Sequence, residues 1–333
     1  MAVLSISKDK LNVLWAAAQS RIIGPKNPFS TFNSALICSM RVLIVGCGYV
    51  GLALGAELVR RGHDVHGMRR TASSDAQLVA AGITPIAADI TRPLEHDPAA
   101  YDWVVNCVSS SKGDAADYRA VYLNGTRNLL NWLAAAPPGK LIYTSSTSVY
   151  GQTDGLEVNE TSPTIPASEM AEILVATEQL LIEQGTRGRI PAVILRVAGI
   201  YGPERGYWLK QFLNGDAKIE GTGERIINMV HQQDVAGTII CALERGRASE
   251  IYNVVDDEPV SQIEFFRWLA GILRRPLPPL AESSSNQPRK RAATNKRISN
   301  RKLKTELGYQ FKFPTFREGC LDELTRMGIA PLT

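Results

Sequence analysis

From Arg41 onward, short apolar runs alternate with stretches in which apolar residues recur every three or four positions. The runs predict buried strands and the stretches predict amphipathic helices. The first run, Arg41 to Val45, breaks into glycines and resumes with helical spacing from Leu52 to Arg61. Strand Val65–Met68 follows, then a helix around Ala76–Ala81, a short strand Thr84–Ala88 and an apolar strand Trp103–Val108. A helix from about Arg119 to Ala135, strand Lys140–Thr144, a helix near Met170–Glu183 and strand Pro191–Val197 continue the series. Such alternation predicts an α/β fold with a doubly wound parallel sheet, because parallel neighbours need helical crossovers of one hand. Beyond Gly199 the texture becomes irregular, with a turn at Gly221–Gly223 and helices at Gln232–Glu244 and near Ser261–Arg274. This predicts a smaller, interleaved C-terminal substrate domain made of 201–227 and 257–333, with 228–256 returning to a main domain over 40–200.

The break after the first strand contains Gly46, Gly48 and Gly51, a G-x-G-x-x-G in a strand–turn–helix setting. In that setting the first glycine permits the turn, the second lets the backbone approach a pyrophosphate, and the third lets helix and strand pack closely. The helix start then offers free N–H groups to the phosphates. The expectation is a Rossmann-type dinucleotide site that includes Tyr49 and Val50 of the turn. A site selective for NAD places an acid at the end of the second strand, on the ribose hydroxyls. Here that strand ends in Arg69 and Arg70, while Asp64 stands at its start. Guanidinium groups at that end suit a 2′-phosphate, so NADP is expected, with NAD the alternative.

Composition narrows the setting. The charge of +4 is uneven: residues 289–304 hold eight Lys or Arg and no acid, and outside them 29 basic residues face 33 acidic ones. A generally nucleic-acid-binding surface is therefore not expected. The basic run reads as a solvated loop and helix start, or as a contact for an anionic substrate. Five widely spaced cysteines without C-x-x-C spacing fit a reduced compartment and no metal site. No apolar run reaches the length of a membrane-spanning helix, so no membrane partner and a cytoplasmic location are expected. Residues 1–39 carry six serines, one acid and two prolines and read as an N-terminal extension outside the fold. Organellar targeting by this segment stays open, although Arg21 is its one arginine.

Later motifs resemble those of the extended short-chain dehydrogenase/reductases, the group that includes nucleotide-sugar epimerases and dehydratases. They are AADIT around Asp89, YTSSTSVYG from Tyr143 to Gly151, RVAGIYGP from Arg196 to Pro203, MVHQQDVA from Met229 to Ala236 and RISNRKLKTELGY. The resemblance covers essentially Met40 to the C-terminus. It implies an acid, Asp89 with Ile90, at the adenine, further cofactor contacts from Val108, Ser109, Ser110, Thr144 and Ser145, and the catalytic serine at Ser146. It is also compatible with a homodimer through surface helices.

In that family a tyrosine transfers the proton and a lysine four residues later lowers its pKa. A phenol needs such a cation to work near neutrality. Aligning on Glu178 of ATEQLL places Met170 and Leu174 in those two positions, and 151–184 contains no Tyr, Lys or Arg. The family's structural asparagine becomes Tyr122. Glu169, Glu172, Tyr122, Tyr150, Tyr201 and His231 are candidates for a relocated acid or base, each with a structural role as the stronger reading. Two functions follow from the sequence. One is an atypical NADP-dependent, epimerase/dehydratase-like oxidoreductase acting on a small polar or nucleotide-linked carbonyl or alcohol. The other is a catalytically silent dinucleotide-binding sensor or scaffold.

Overall fold

The structure is a computed structural model that describes residues 39–71, 75–95, 100–281 and 294–330. The N-terminal extension, except Ser39, and the first part of the basic run lie outside the described residues.

Strand β1 (Arg41–Val45) leads into helix α1 (Tyr49–Arg60), β2 (Asp64–Arg69), α2 (Asp75–Ala80), β3 (Thr84–Ala87) and β4 (Trp103–Asn106). After β4 the chain forms α3 (Ala115–Tyr118), a π-helical segment over Arg119–Asn124 and α4 (Gly125–Leu133). The single helix expected there is thus three segments, and Asp114 caps its start by accepting from the N–H of Asp117. Next come β5 (Lys140–Ser146), β6 (Glu157–Val158), α5 (Glu169–Thr186), β7 (Ala192–Val197) and β8 (Gly199–Tyr201). The last part contains α6 (Tyr207–Asn214), β9 (Ile226–Ile227), β10 (Met229–His231), α7 (Gln232–Arg245), β11 (Ile251–Val254), β12 (Val260–Ser261), α8 (Gln262–Leu273), β13 (Arg297–Ile298), α9 (Arg301–Leu307) and α10 (Phe316–Arg326).

Seven strands form one sheet in the order β11-β7-β5-β4-β1-β2-β3. Every pairing in it is parallel, with Val45 opposite Met68 on one side and Asn106 on the other. Central strands of such a sheet are covered on both faces, which is why Val42 to Val45 and the whole of β7 are buried. One core includes Val42, Ile44, Leu54 and Leu58, and the other includes Leu43, Val45, Leu129 and Leu133. A third core gathers Leu209, Phe212, Phe265, Phe266, Phe316 and Leu324 from the later elements. All seven strands end at one edge of the sheet. The strand order reverses between β1 and β4, and in open α/β sheets that reversal opens a ligand crevice.

Candidate functional site

At this crevice the three glycines of the turn differ in what a side chain would meet. Gly46 has φ +81°, and a Cβ there would stand 2.6 Å from Val108 Cα. Only glycine fits both conditions. At Gly51 a Cβ would lie 3.0 Å from the Gly46 carbonyl and from Ile44 Cγ2, so this residue sets how closely α1 approaches the sheet. At Gly48 a Cβ would find only the Gly46 oxygen, 3.9 Å away, and the residue opens outward. The N–H groups of Gly46 and Cys47 donate to Met68 O at 3.1 Å, tying the turn to β2. Gly48 precedes helix α1 at the cap position, where no side chain caps the helix, and the first turn holds no acid. Its leading N–H groups and the positive end of its dipole therefore suit an anion.

Beside the turn lies a cleft of about 230 Å³, lined by Gly46, Gly48, Met68, Arg69, Arg70, Thr71, Ala88, Ile90, Thr91, Val108, Ser109 and Val121, with Val45 at its base. Arg69 donates through Nε to the Cys47 carbonyl, and Arg70 reaches Ser111 Oγ across the mouth at 3.4 Å. Asp89 accepts from the N–H and hydroxyl of Thr91 at 3.0 and 2.8 Å, shaping the turn that carries Ile90 into the wall. Ser110 presents its N–H to Tyr122 Oη and its hydroxyl to Asp117, which also accepts from the N–H groups of Ser111 and Lys112. The Ser110 hydroxyl and these N–H groups hold the Asp117 carboxyl below the usual carboxylate range. Burial pushes the Cys47 thiol up to about 11, so the cysteine inside the turn is an inert apolar group. A larger hollow of about 380 Å³ includes Asp257 and Lys304, which pair with each other at 3.0 Å. It shares no residue with the glycine turn, so the smaller cleft is the dinucleotide candidate.

The ends of β5 and β7 carry a different arrangement. Ser146 is half-buried and caps a short 3-10 turn, accepting from the N–H of Ser148 at 3.2 Å. Thr144 donates its hydroxyl to Asn106 O at 3.4 Å. Ser145 is buried, and its hydroxyl donates to Glu178 at 2.5 Å, so the sheet interior holds it. Glu178 forms an ion pair with Arg196 at 2.7 Å, both nearly inaccessible. Arg196 also donates to Tyr150 Oη at 2.7 Å, and that phenol donates to Asn253 at 3.0 Å. Sequence reasoning missed this network. Its signal was an arginine inside the apolar run VILRVA, a charged residue where a buried strand is expected.

Met170 is half-buried and Leu174 buried on α5. Among the proposed substitutes, Glu169 and Glu172 are exposed, and Glu169 lies 3.6 Å from Arg119. Tyr122 accepts from Ser110, Tyr150 is bound into the Arg196 network, and Tyr201 is buried with its ring edge-on to His231. His231 has no exposed surface, and burial pulls its pKa down to about 4. The described part of the basic run is not simply solvated. Lys302 and Lys304 pair with Glu250 and Asp257, while Lys296 is buried and donates to Tyr150 O at 2.5 Å and Thr294 Oγ1 at 3.0 Å. Burial, with Arg225 nearby, lowers the Lys296 ammonium to about 8.

A seven-stranded parallel sheet with a glycine cradle at its switch point defines a Rossmann-type dinucleotide-binding protein. The family described as NAD dependent epimerase/dehydratase matches residues 42–255, and the chain belongs to that family. Protein YeeZ of Escherichia coli strain K12 is 28% identical over 284 residues, covering 82% of this chain and 96% of its own. A functionally unknown conserved protein from Silicibacter pomeroyi superimposes with a TM-score of 0.71 at 26% identity, over 88% of this chain and 100% of that one. The dTDP-glucose 4,6-dehydratase DesIV of Streptomyces venezuelae, solved with NAD, shares the fold at a TM-score of 0.71 and 20% identity, over 86% and 96% of the two chains. Among the described residues no helix is long and apolar enough to cross a membrane.

Proposed function

We propose that this chain is an NADP-binding, epimerase/dehydratase-like oxidoreductase of atypical chemistry, acting on a small polar or nucleotide-linked carbonyl or alcohol. The observation that carries the reading is the glycine cradle with Arg69 and Arg70 on the rim of the same cleft. Gly48 leaves room for the pyrophosphate, the start of α1 suits its charge, and Arg70, which makes no ion pair among the described residues, would pair with a 2′-phosphate. A bound cofactor supplies the hydride chemistry. Ser146, at the end of β5, is the residue suited to hold a substrate oxygen. Fluorescence titration should show NADPH binding at least about tenfold more tightly than NADH, the scale of one charged hydrogen bond. Preference for NADH would remove the reading of the arginines.

Met170 and Leu174 favour a second reading, a dinucleotide-binding module without turnover. Neither side chain can transfer a proton or lower a phenol's pKa. A panel of carbonyl and sugar-nucleotide substrates separates the two readings, with wild type compared against Ser146→Ala and Met170→Tyr/Leu174→Lys. Wild-type turnover abolished by Ser146→Ala supports an enzyme with relocated acid–base help. Activity appearing only in the double substitution supports the silent module.

A further inference from the structure

Three polar atoms without a hydrogen-bond partner lie buried behind the glycine turn: Tyr49 Oη, His231 Nε2 and Glu323 Oε1. They come from three elements. Tyr49 is the first residue of α1, inside the glycine motif, His231 ends β10 and caps α7, and Glu323 lies on α10. His231 and Glu323 are 0% and 2% exposed. The imidazole Nε2 and the Glu323 carboxylate are 3.7 Å apart, too far for a good direct hydrogen bond. His231 Nε2 and Tyr49 Oη lie beside the same point: a Cβ added to Gly202 would stand 3.1 Å from each. Glycine at 202 keeps that space clear.

The His231, Asp322 and Glu323 ligand atoms lie within 4.8 Å of one another, which could suit a metal ion. The hydrogen bonding argues against one. His231 Nδ1 accepts from the N–H of Gln233 at 3.2 Å. The neutral ring therefore carries its proton on Nε2 and has no lone pair there to give a cation. Arg326 already supplies positive charge, bonded to Asp322 at 2.7 Å and lying 3.8 Å from Glu323. What remains is a donor on His231, an acceptor on Glu323 and a phenol able to do either. That set suits a water molecule, which needs two to four polar partners.

We propose that Tyr49, His231 and Glu323 together bind one water molecule, and that this bridge holds the glycine turn in register, making the C-terminal helix a positioning element of the dinucleotide site. Other contacts already tie Tyr49 to the same region. Gln232 Nε2 donates to the Tyr49 carbonyl at 2.5 Å, and the Arg205 guanidinium lies 4.8 Å from the centre of the Tyr49 ring. The water bridge would add a link from the turn to α10, whose other residues include Phe316 and Leu324 of the third core. Seating of that core would then be felt at the pyrophosphate. The proposal rests on the glycine turn being the dinucleotide site.

The test is calorimetric titration of NADPH and NADH into wild type, Tyr49→Phe, Glu323→Ala, Glu323→Gln and Tyr49→Phe/Glu323→Ala, with thermal unfolding of each ligand-free protein. Tyr49→Phe and Glu323→Ala should each weaken the dinucleotide by roughly three- to tenfold, the scale of one hydrogen bond. Glu323→Gln keeps an acceptor and should restore affinity to near wild type. The double variant should be no weaker than the worse single one, because either change already breaks the bridge. Additive losses, or a fall in melting temperature with affinity unchanged, would overturn the proposal. Calorimetric zinc binding that disappears in Glu323→Gln would overturn it in favour of a cation. If wild type takes up neither dinucleotide, the cofactor reading fails. The bridge is then judged by the unfolding cycle of the ligand-free proteins, in which additivity counts against it.

Discussion

The glycine turn and the β5–α5 region lie on the same edge of one sheet, yet they are built from different materials. The turn is made of backbone: a positive φ at Gly46, a close approach at Gly51 and an open side at Gly48. The β5–α5 region is made of side chains, and the interior holds many of them: Ser145 on Glu178, Tyr150 on Arg196 and Asn253, and Leu174 in the core. A cradle built from glycines and a helix start depends less on the identity of the surrounding side chains than on backbone geometry. Acid–base chemistry that needs a phenol and an ammonium depends instead on which side chains stand at set positions.

The largest effect should come from breaking the ion pair beneath the second region. Arg196→Met leaves the Glu178 carboxylate buried without its partner, a loss of about 3–5 kcal/mol in stability, measurable by urea denaturation. A change under 1 kcal/mol would mean the pair is not as dry as its burial indicates. Gly48→Val should come next. A side chain would occupy the open side of the turn and cost at least about 3 kcal/mol of dinucleotide affinity, two charged hydrogen bonds' worth, with the melting temperature nearly unchanged. Together the two variants would separate stability from binding on one edge. Unimpaired binding by Gly48→Val would place the cofactor elsewhere.

Arg70→Ala should weaken NADPH by about 1–2 kcal/mol and NADH far less, the signature of a phosphate contact rather than of folding. Equal losses for both cofactors would deny a 2′-phosphate role. A gentler test uses pH. Lys296 has its pKa lowered from 10.5 to about 8 in the folded chain. Between these values the unfolded chain binds the extra proton, so this lysine makes stability rise with pH by up to about 1.4 kcal/mol per unit, and lowers it as pH falls through 8. Lys296→Met should flatten that slope. An unaltered slope would show that the ammonium is better solvated than its burial implies.

Much of the fold was legible because period and punctuation agree. The runs around Val42, Val104 and Ile194 are apolar on both faces, as a parallel sheet requires, and Gly46 to Gly51 marks the turn. The short strands β6, β8, β10 and β13 were not legible, since two or three residues carry no readable period. The break in the helix after β4 was equally hidden, because RAVYLN has ordinary helical composition. In the site, glycine spacing pointed to the cradle, and the end of β2 pointed to Arg69 and Arg70. The partners of Ser145 and Tyr150 lie 33 and 46 residues away, at Glu178 and Arg196, and pairings of that kind leave no local pattern. Nor does sequence show which lysine of the basic run is buried.

The π-helical stretch from Arg119 to Asn124 works as a phase shifter. A wider turn uses extra chain for each revolution, so residues beyond it face a direction different from the one an uninterrupted α-helix would give them. Val121 thereby lines the cleft while Tyr122, on the next position, receives the N–H of Ser110. Winding this stretch as regular α-helix with the same number of residues would turn everything after it by about 100° about the helix axis. A substitution that made this stretch regular α-helix could thus misdirect one wall of the crevice while leaving the glycine turn in place.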